Sequence, residues 1–164
     1  RKPELTSGQL NEWLEKIPAQ FHNRLMLHSH HELRQEFQIK GLHFPAGLRL
    51  NARTIEKGPL QFSTSFHQVT EILNPDPVFG YAFLSPIFDS ISKTGYQAAF
   101  SEVELKNTLS STDFPVIALG GITTGNLAKT VDLGFAGAAV LGAVWQAADP
   151  VKAFNDLAAK SSEL

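Results

Sequence analysis

The sequence predicts an α/β protein built on a parallel sheet, and three observations carry that prediction. Short apolar runs alternate along the 164-residue chain with segments whose apolar residues recur at helical spacing. The runs are apolar at successive positions, as strands buried on both faces are. Polar residues and glycines then gather just past the carboxyl ends of those runs, where loops of such folds bind ligands.

In chain order, Thr6 and Ser7 are good capping residues ahead of Leu10, Trp13, Leu14 and Ile17, whose spacing predicts a first helix. Residues 24–28 (RLMLH) read as a strand, and residues 30–39 (HHELRQEFQI), with Leu33 and Phe37 one turn apart, as a helix. Residues 41–44 (GLHF) read as a second strand, residues 45–59 with two prolines and two glycines as a loop, and residues 60–65 (LQFSTS) as a third strand. Val69, Ile72 and Leu73 set a short helix over residues 67–73, ahead of a strand at 78–84. A helix over residues 101–110 leads to buried strands at 115–122 and 136–144, each ending at glycine. Between them lies an amphipathic helix with Leu127 and Val131 inward. Asp149 as N-cap and Pro150 at the first helical position open a last helix carrying Val151, Phe154 and Leu157.

That makes six strands in a chain with room for one core, so residues 1–164 read as a single domain. Spacing alone leaves two architectures open, a closed eight-stranded barrel or an open doubly wound sheet. Fourteen Lys and Arg stand against 16 Asp and Glu, which gives no positive field of the kind nucleic acid or an anionic membrane recruits. The absence of cysteine excludes a disulfide framework and a thiolate metal site and fits a cytoplasmic protein, and no run is long and apolar enough for a membrane span.

Candidate site residues fall at one rim. Arg1 and Lys2 precede the first helix, and His28, Ser29 and His30 end the first run. Ser63, Ser65 and His67 end the strand at 60, and Ser90, Ser92 and Lys93 follow the strand at 78. Gly120 and Gly121 end the strand at 115, and Gly142 ends the last. Two hydroxyls, an ammonium and glycine amides that a ligand can approach closely suit a phosphate. The plainer readings stand beside these: a solvated loop for 90–93, a tight turn for Gly120 and Gly121, and a helix start capped by Ser29 for the HSHH cluster at 28–31, to which no metal is assigned. His22 and His43 read as ordinary surface or half-buried residues.

These residues also carry a family resemblance. VIALGGITTGNLAKTVDLGFAGAAVLGAV, SPIFDSISKTGY, SFHQVTEI and RKPE together resemble the thiamine phosphate synthase and thiazole tautomerase family, over nearly the whole chain and most specifically over residues 81–146. The resemblance implies a TIM-type (β/α)₈ barrel whose first strand, first helix and most of whose second strand lie outside this chain, with unpaired edges that leave homo-oligomerisation open. It implies a thiamine biosynthesis transferase that couples a pyrimidine methyl diphosphate to a thiazole phosphate and releases diphosphate. The partners are thus small phosphorylated substrates.

By the same resemblance, Ser90 and Ser92 with amides at Gly120, Gly121, Leu141 and Gly142 hold the thiazole phosphate. Arg1, Lys2, Ser65 and Lys93 hold the diphosphate, Lys2 taking the place of a family lysine that would fall at Pro3. Lys93 counts with His67 and His28 as catalytic, the two histidines as groups that can titrate near neutrality. The chain departs from the family where two Mg²⁺ carboxylates belong, since the matching positions are His28, Ser29 and residues 45–47. Mg²⁺ is then held weakly unless diphosphate supplies most of its ligands. The catalytic histidine of the tautomerase branch falls near Pro86 and is absent too. A metal-independent tautomerase and a non-catalytic binding barrel therefore stand as alternatives.

Overall fold

The computed structural model describes residues 4–89 and 98–164, which divide into two compact units. The first takes the described chain up to Thr64 together with Pro77–Gly80. The second takes Ser65–Asp76 and the described chain from Tyr81 onward.

In the first unit, α1 (Ser7–Glu15) is opened by Thr6, whose side chain accepts from the Gln9 amide while the Gln9 side chain accepts from the Thr6 amide. Leu10 and Leu14 form its buried stripe, whereas Trp13 is 41% exposed. Strands β1 (Met26–Leu27), β2 (Gly41–Phe44) and β3 (Gln61–Phe66) follow. The ladders are parallel, from Met26↔Gly41 to Leu27↔Leu42 and from Gly41↔Gln61 to Phe44↔Thr64. All four residues of β2 are buried, the burial on both faces that its unbroken apolar character predicts. A Cβ on Gly41 would run into the Gln61 backbone, so glycine permits this approach. On the opposite face from Gly41, Phe44 and Phe62 are fully buried with ring centroids 5.1 Å apart, and Phe79 joins them.

Several connections take a tighter form than the spacing predicts. The segment 45–59, read as a loop, holds a 3₁₀ helix Ala46–Thr54 with Ala52 buried. The helix after β1 is likewise a 3₁₀ helix, His31–Gln35. Ser29 is not its cap: His30 holds that place at φ 51° with no side-chain cap bond. The expected strand at 78–84 begins only at Tyr81, because the Gly80 amide donates to Phe62 O and Val78 O accepts from Lys57 Nζ.

In the second unit, β4 (Tyr81–Leu84), β5 (Val116–Leu119) and β6 (Gly137–Ala139) form parallel ladders through Leu84↔Ala118 and Leu119↔Ala139. Helices α2 (Glu102–Leu109), α3 (Leu127–Asp132), α4 (Gly142–Trp145) and α5 (Pro150–Ser162) belong here, with a 3₁₀ helix Val69–Ile72. Its core gathers Phe66, Ile72, Leu84, Leu105, Leu109, Val116, Leu133 and Phe135. Each such side chain contributes roughly 1.5–3 kcal/mol by leaving water. Asp149 caps α5 through the Lys152 amide with Pro150 at the first position, as the sequence predicts.

One inward assignment, Val131, is corrected, and three other apolar helix positions are exposed. Val131 is 52% exposed, and Thr130 takes the buried place beside Leu127, its hydroxyl satisfied by donating to Leu127 O. On α5 only Leu157 is buried, while Val151 and Phe154 are exposed, and Leu73 is exposed in the same way. The run at 136–144 is strand only over Gly137–Ala139, and Gly142 opens α4 rather than ending the strand. No described helix is long and apolar enough to cross a membrane.

Candidate functional site

The polar strand ends of the second unit follow one another along its ladders. At the end of β3, the half-buried Ser65 precedes an exposed His67 whose Nδ1 lies 3.2 Å from Ser85 O. The Ser85 amide donates to Phe66 O. Ser85, joined to Pro86 by a cis peptide, begins a segment that crosses the end of β5: the Ile87 amide donates to Leu119 O and the Phe88 amide to Gly120 O. Because the β5–β6 ladder ends at Leu119↔Ala139, Gly120 and Gly121 leave the sheet at the level where Val140 and Leu141 leave β6.

Gly120 and Gly121 sit at φ 98° and 65°, in the left-handed region where side chains are strained. A Cβ on Gly120 would stand 3.0 Å from Pro86 Cα, and one on Gly121 2.8 Å from the Phe88 carbonyl carbon. Asn126 braces this bend from α3, its Nδ2 donating to Gly121 O at 2.9 Å while its Oδ1 accepts from the Thr123 amide at 2.8 Å. Asp89 Oδ1 accepts from the Ala98 amide at 2.8 Å, and Pro86 O accepts from the Ala99 amide. The chain leaving Asp89 and the chain arriving at Ala98 are thereby pinned together beside the two glycines. Ser90, Ser92 and Lys93 lie outside the described residues, as do Arg1 and Lys2.

One feature works against an anion at the end of β3. Glu71 Oε2 accepts from the amides of His67 and Gln68, at 2.8 and 3.0 Å. The amides that open this 3₁₀ helix are thus turned to an internal carboxylate.

The first unit carries its own polar strand ends. His28 follows β1 and stacks on His43 of β2, ring centroids 4.2 Å apart at 29°. His43 Nδ1 lies 3.0 Å from Ser63 Oγ in β3. His43 and His22, read as surface or half-buried, are both buried: His43 is 3% exposed, and His22 has Nε2 against Ile17 O. Sequence reading missed His43 although a signal was available, because a histidine between Leu42 and Phe44 in a strand buried on both faces must itself be buried and partnered. His31 Nε2 meets His43 O at 3.1 Å, and burial holds its imidazole below the usual 6.5 against the opposing pull of the His43 and Leu27 carbonyls.

The donors at the ends of β1 and β2 do not fit a hard divalent cation. His28 and Ser29 offer an imidazole and a hydroxyl, and residues 45–47 (PAG) offer no side-chain oxygen, whereas Mg²⁺ selects carboxylate and phosphate oxygen. Among the described residues no cluster of three His, Asp or Glu side chains is placed to hold a metal ion.

Parallel strands of the second unit that end in a glycine bend, with the Pro86–Asp89 segment bonded across it, define an α/β protein. Comparison with known proteins gives the family. The profile described as thiamine monophosphate synthase matches residues 1–144, and the chain belongs to that family. It is 29% identical over 149 residues to the thiamine-phosphate synthase of Latilactobacillus sakei, covering 87% of this chain and 66% of that protein. A thiamine-phosphate synthase of Leptospira biflexa matches over 49% of this chain and 38% of its own length at 32% identity. The chain thus spans two-thirds or less of these curated relatives. Among solved structures, thiamine phosphate pyrophosphorylase from Bacteroides thetaiotaomicron superposes with a TM-score of 0.79 at 30% identity, covering 99% of this chain and 82% of that one. The enzyme of the same name from Pyrococcus furiosus shares the fold with a TM-score of 0.80 at 19% identity, over 98% and 80% of the two chains.

Proposed function

We propose that this chain acts in thiamine biosynthesis as a thiamine phosphate synthase, coupling a pyrimidine methyl diphosphate to a thiazole phosphate. The bond between the pyrimidine methylene carbon and the diphosphate oxygen breaks with its electron pair leaving on diphosphate. The thiazole nitrogen lone pair then forms the new C–N bond, so no side-chain nucleophile takes part and the rate comes from positioning and electrostatics. The observation that carries this reading is the Gly120–Gly121 bend packed against the Pro86–Asp89 segment, together with the family match over residues 1–144. It supports amides of Gly120, Gly121, Leu141 and Gly142 on the thiazole phosphate, with Ser90 and Ser92 reaching the same oxyanion.

In this reading diphosphate falls to Lys93, Arg1, Lys2 and Ser65, and proton transfer to His67 and His28. No step is derived through Mg²⁺, because the donors described above do not suit it. The reading extends to the fold: residues 1–164 are one domain, its six strands part of a (β/α)₈ barrel, working in the cytoplasm on small phosphorylated substrates. The test is a binding and turnover assay with thiazole phosphate, with and without the pyrimidine diphosphate and Mg²⁺. Thiamine phosphate and diphosphate are the expected products. Isomerisation of the thiazole alone, or binding without turnover, overturns the synthase assignment. Ser90→Ala and Ser92→Ala are each expected to weaken thiazole phosphate binding by roughly 1–3 kcal/mol, as loss of a charge-assisted hydrogen bond does.

A further inference from the structure

Three polar side chains lie in one row across the first unit. The β1–β2 ladder runs Met26↔Gly41 and Leu27↔Leu42, so His28 comes next, opposite His43. The β2–β3 ladder pairs His43 with Ser63. Strand alternation puts His43 and Ser63 on the face opposite Phe44 and Phe62, whose rings pack together. His43 and Ser63 are 3% and 0% exposed, and His28 is half-buried at the end of the row. The aromatic face thus explains none of the three.

We propose that Ser63 and His43 are positioning residues for His28. The Ser63 hydroxyl, 3.0 Å from His43 Nδ1, can donate to that nitrogen or accept from it. In a dry site that bond fixes the ring's rotation in either tautomer. The His43 carbonyl is held from the other side by His31 Nε2 at 3.1 Å. A ring fixed in this way offers a flat face, and His28 lies on it at 4.2 Å and 29°. That contact sets where the His28 imidazole stands at the carboxyl end of β1, the end at which parallel folds meet their ligands. The inference rests on the proposed function in one respect only, that His28 meets the substrate.

The test uses the full chain, labelled with ¹⁵N, and long-range ¹H–¹⁵N correlation of the histidine rings. With Ser63→Ala the ring nitrogen shifts of His43 are expected to move, and the His28 ring signals to move with them. Ser63→Thr, which keeps the hydroxyl, restores both. His43→Gln removes the stacking face and is expected to bring the His28 signals to those of a solvated histidine. Affinity for inorganic diphosphate should fall about three- to tenfold in Ser63→Ala, as for one lost neutral hydrogen bond, and recover in Ser63→Thr. His28 ring signals that stay unchanged in Ser63→Ala and His43→Gln overturn the proposal. If the signals move as expected but His28→Asn leaves diphosphate affinity intact, positioning stands and the placement of His28 in the substrate site fails instead.

Discussion

Gly121 backs directly onto the Phe88–Asp89 peptide: a Cβ added to it would stand 2.8 Å from the Phe88 carbonyl carbon, at a backbone φ of 65°. Backbone cannot yield there as a flexible side chain would. Gly121→Ala is therefore expected to destabilise the protein by roughly 2–5 kcal/mol, combining the left-handed strain of a non-glycine residue with overpacking. It also pushes the 86–89 segment off the end of β5, so affinity for inorganic phosphate should fall alongside. Urea unfolding with phosphate titration checks both, and a variant as stable as the parent would show that the contact is not maintained in solution.

Phe62 is fully buried in β3 and meets Phe44 edge-on at 5.1 Å, with Lys57 Nζ 5.7 Å over its ring. Phe62→Ala removes a fully buried ring of that cluster and should cost about 3–5 kcal/mol, whereas Phe62→Leu, which keeps most of the volume, should cost less. The midpoints of denaturant unfolding for the two variants test the ordering.

Element type was legible where periodicity and chemistry agreed. Thr6, read with Ser7 as a capping residue, caps the first helix, Asp149 and Pro150 open the last, and GLHF became β2 over its whole length. Boundaries failed where tertiary bonds outranked local pattern. The run from Val78 is as apolar as a strand, yet its first residues answer to Lys57 and Phe62 rather than to β5. Val131 and Thr130 exchanged roles because a three-residue step from Leu127 carries the buried stripe through Thr130, and a hydroxyl that bonds back to its own helix is cheap to bury. At the site, the glycine bend was readable from Gly120 and Gly121 alone. The braces were not, since Asn126 and Asp89 act through bonds to Gly121 O and the Ala98 amide that no spacing rule announces.

His31 gives the stability a pH dependence with a definite sign. Burial lowers its folded-state value below the usual 6.5, so the native protein binds fewer protons than the unfolded chain between the two values, and stability rises with pH across that interval. The contribution is complete above about pH 6.5 and is lost as pH falls below it. Glu32, held below 4.5 first by its own backbone amide and then by Ser7 and His30, adds a loss of the same sign only in more acidic solution. Urea midpoints between about pH 3 and 7.5 should therefore decline on the acid side, and His31→Gln should flatten the part near and below 6.5 while leaving the decline below pH 4.5. A profile unchanged by His31→Gln would assign the slope to another group.

Glu71 sets the last expectation, because it places a carboxylate at the end of β3, beside the proposed diphosphate ligand Ser65 and the proposed proton-transfer residue His67. Its Oε2 takes both the His67 and Gln68 amides, which serves the fold as a cap but opposes a dianion arriving at the same strand end. Glu71→Gln keeps an oxygen for those amides and removes the charge. It should cost the fold no more than about 1 kcal/mol, within the range of cap substitutions. Diphosphate should bind more tightly, and more so at low salt, since screening weakens the repulsion being relieved. Glu71→Ala separates the two effects: it frees the amides and removes the cap, so stability should fall while diphosphate affinity rises at least as far. Calorimetric titration with inorganic diphosphate at two ionic strengths decides the matter, and an affinity insensitive to both substitutions would move the diphosphate away from the end of β3.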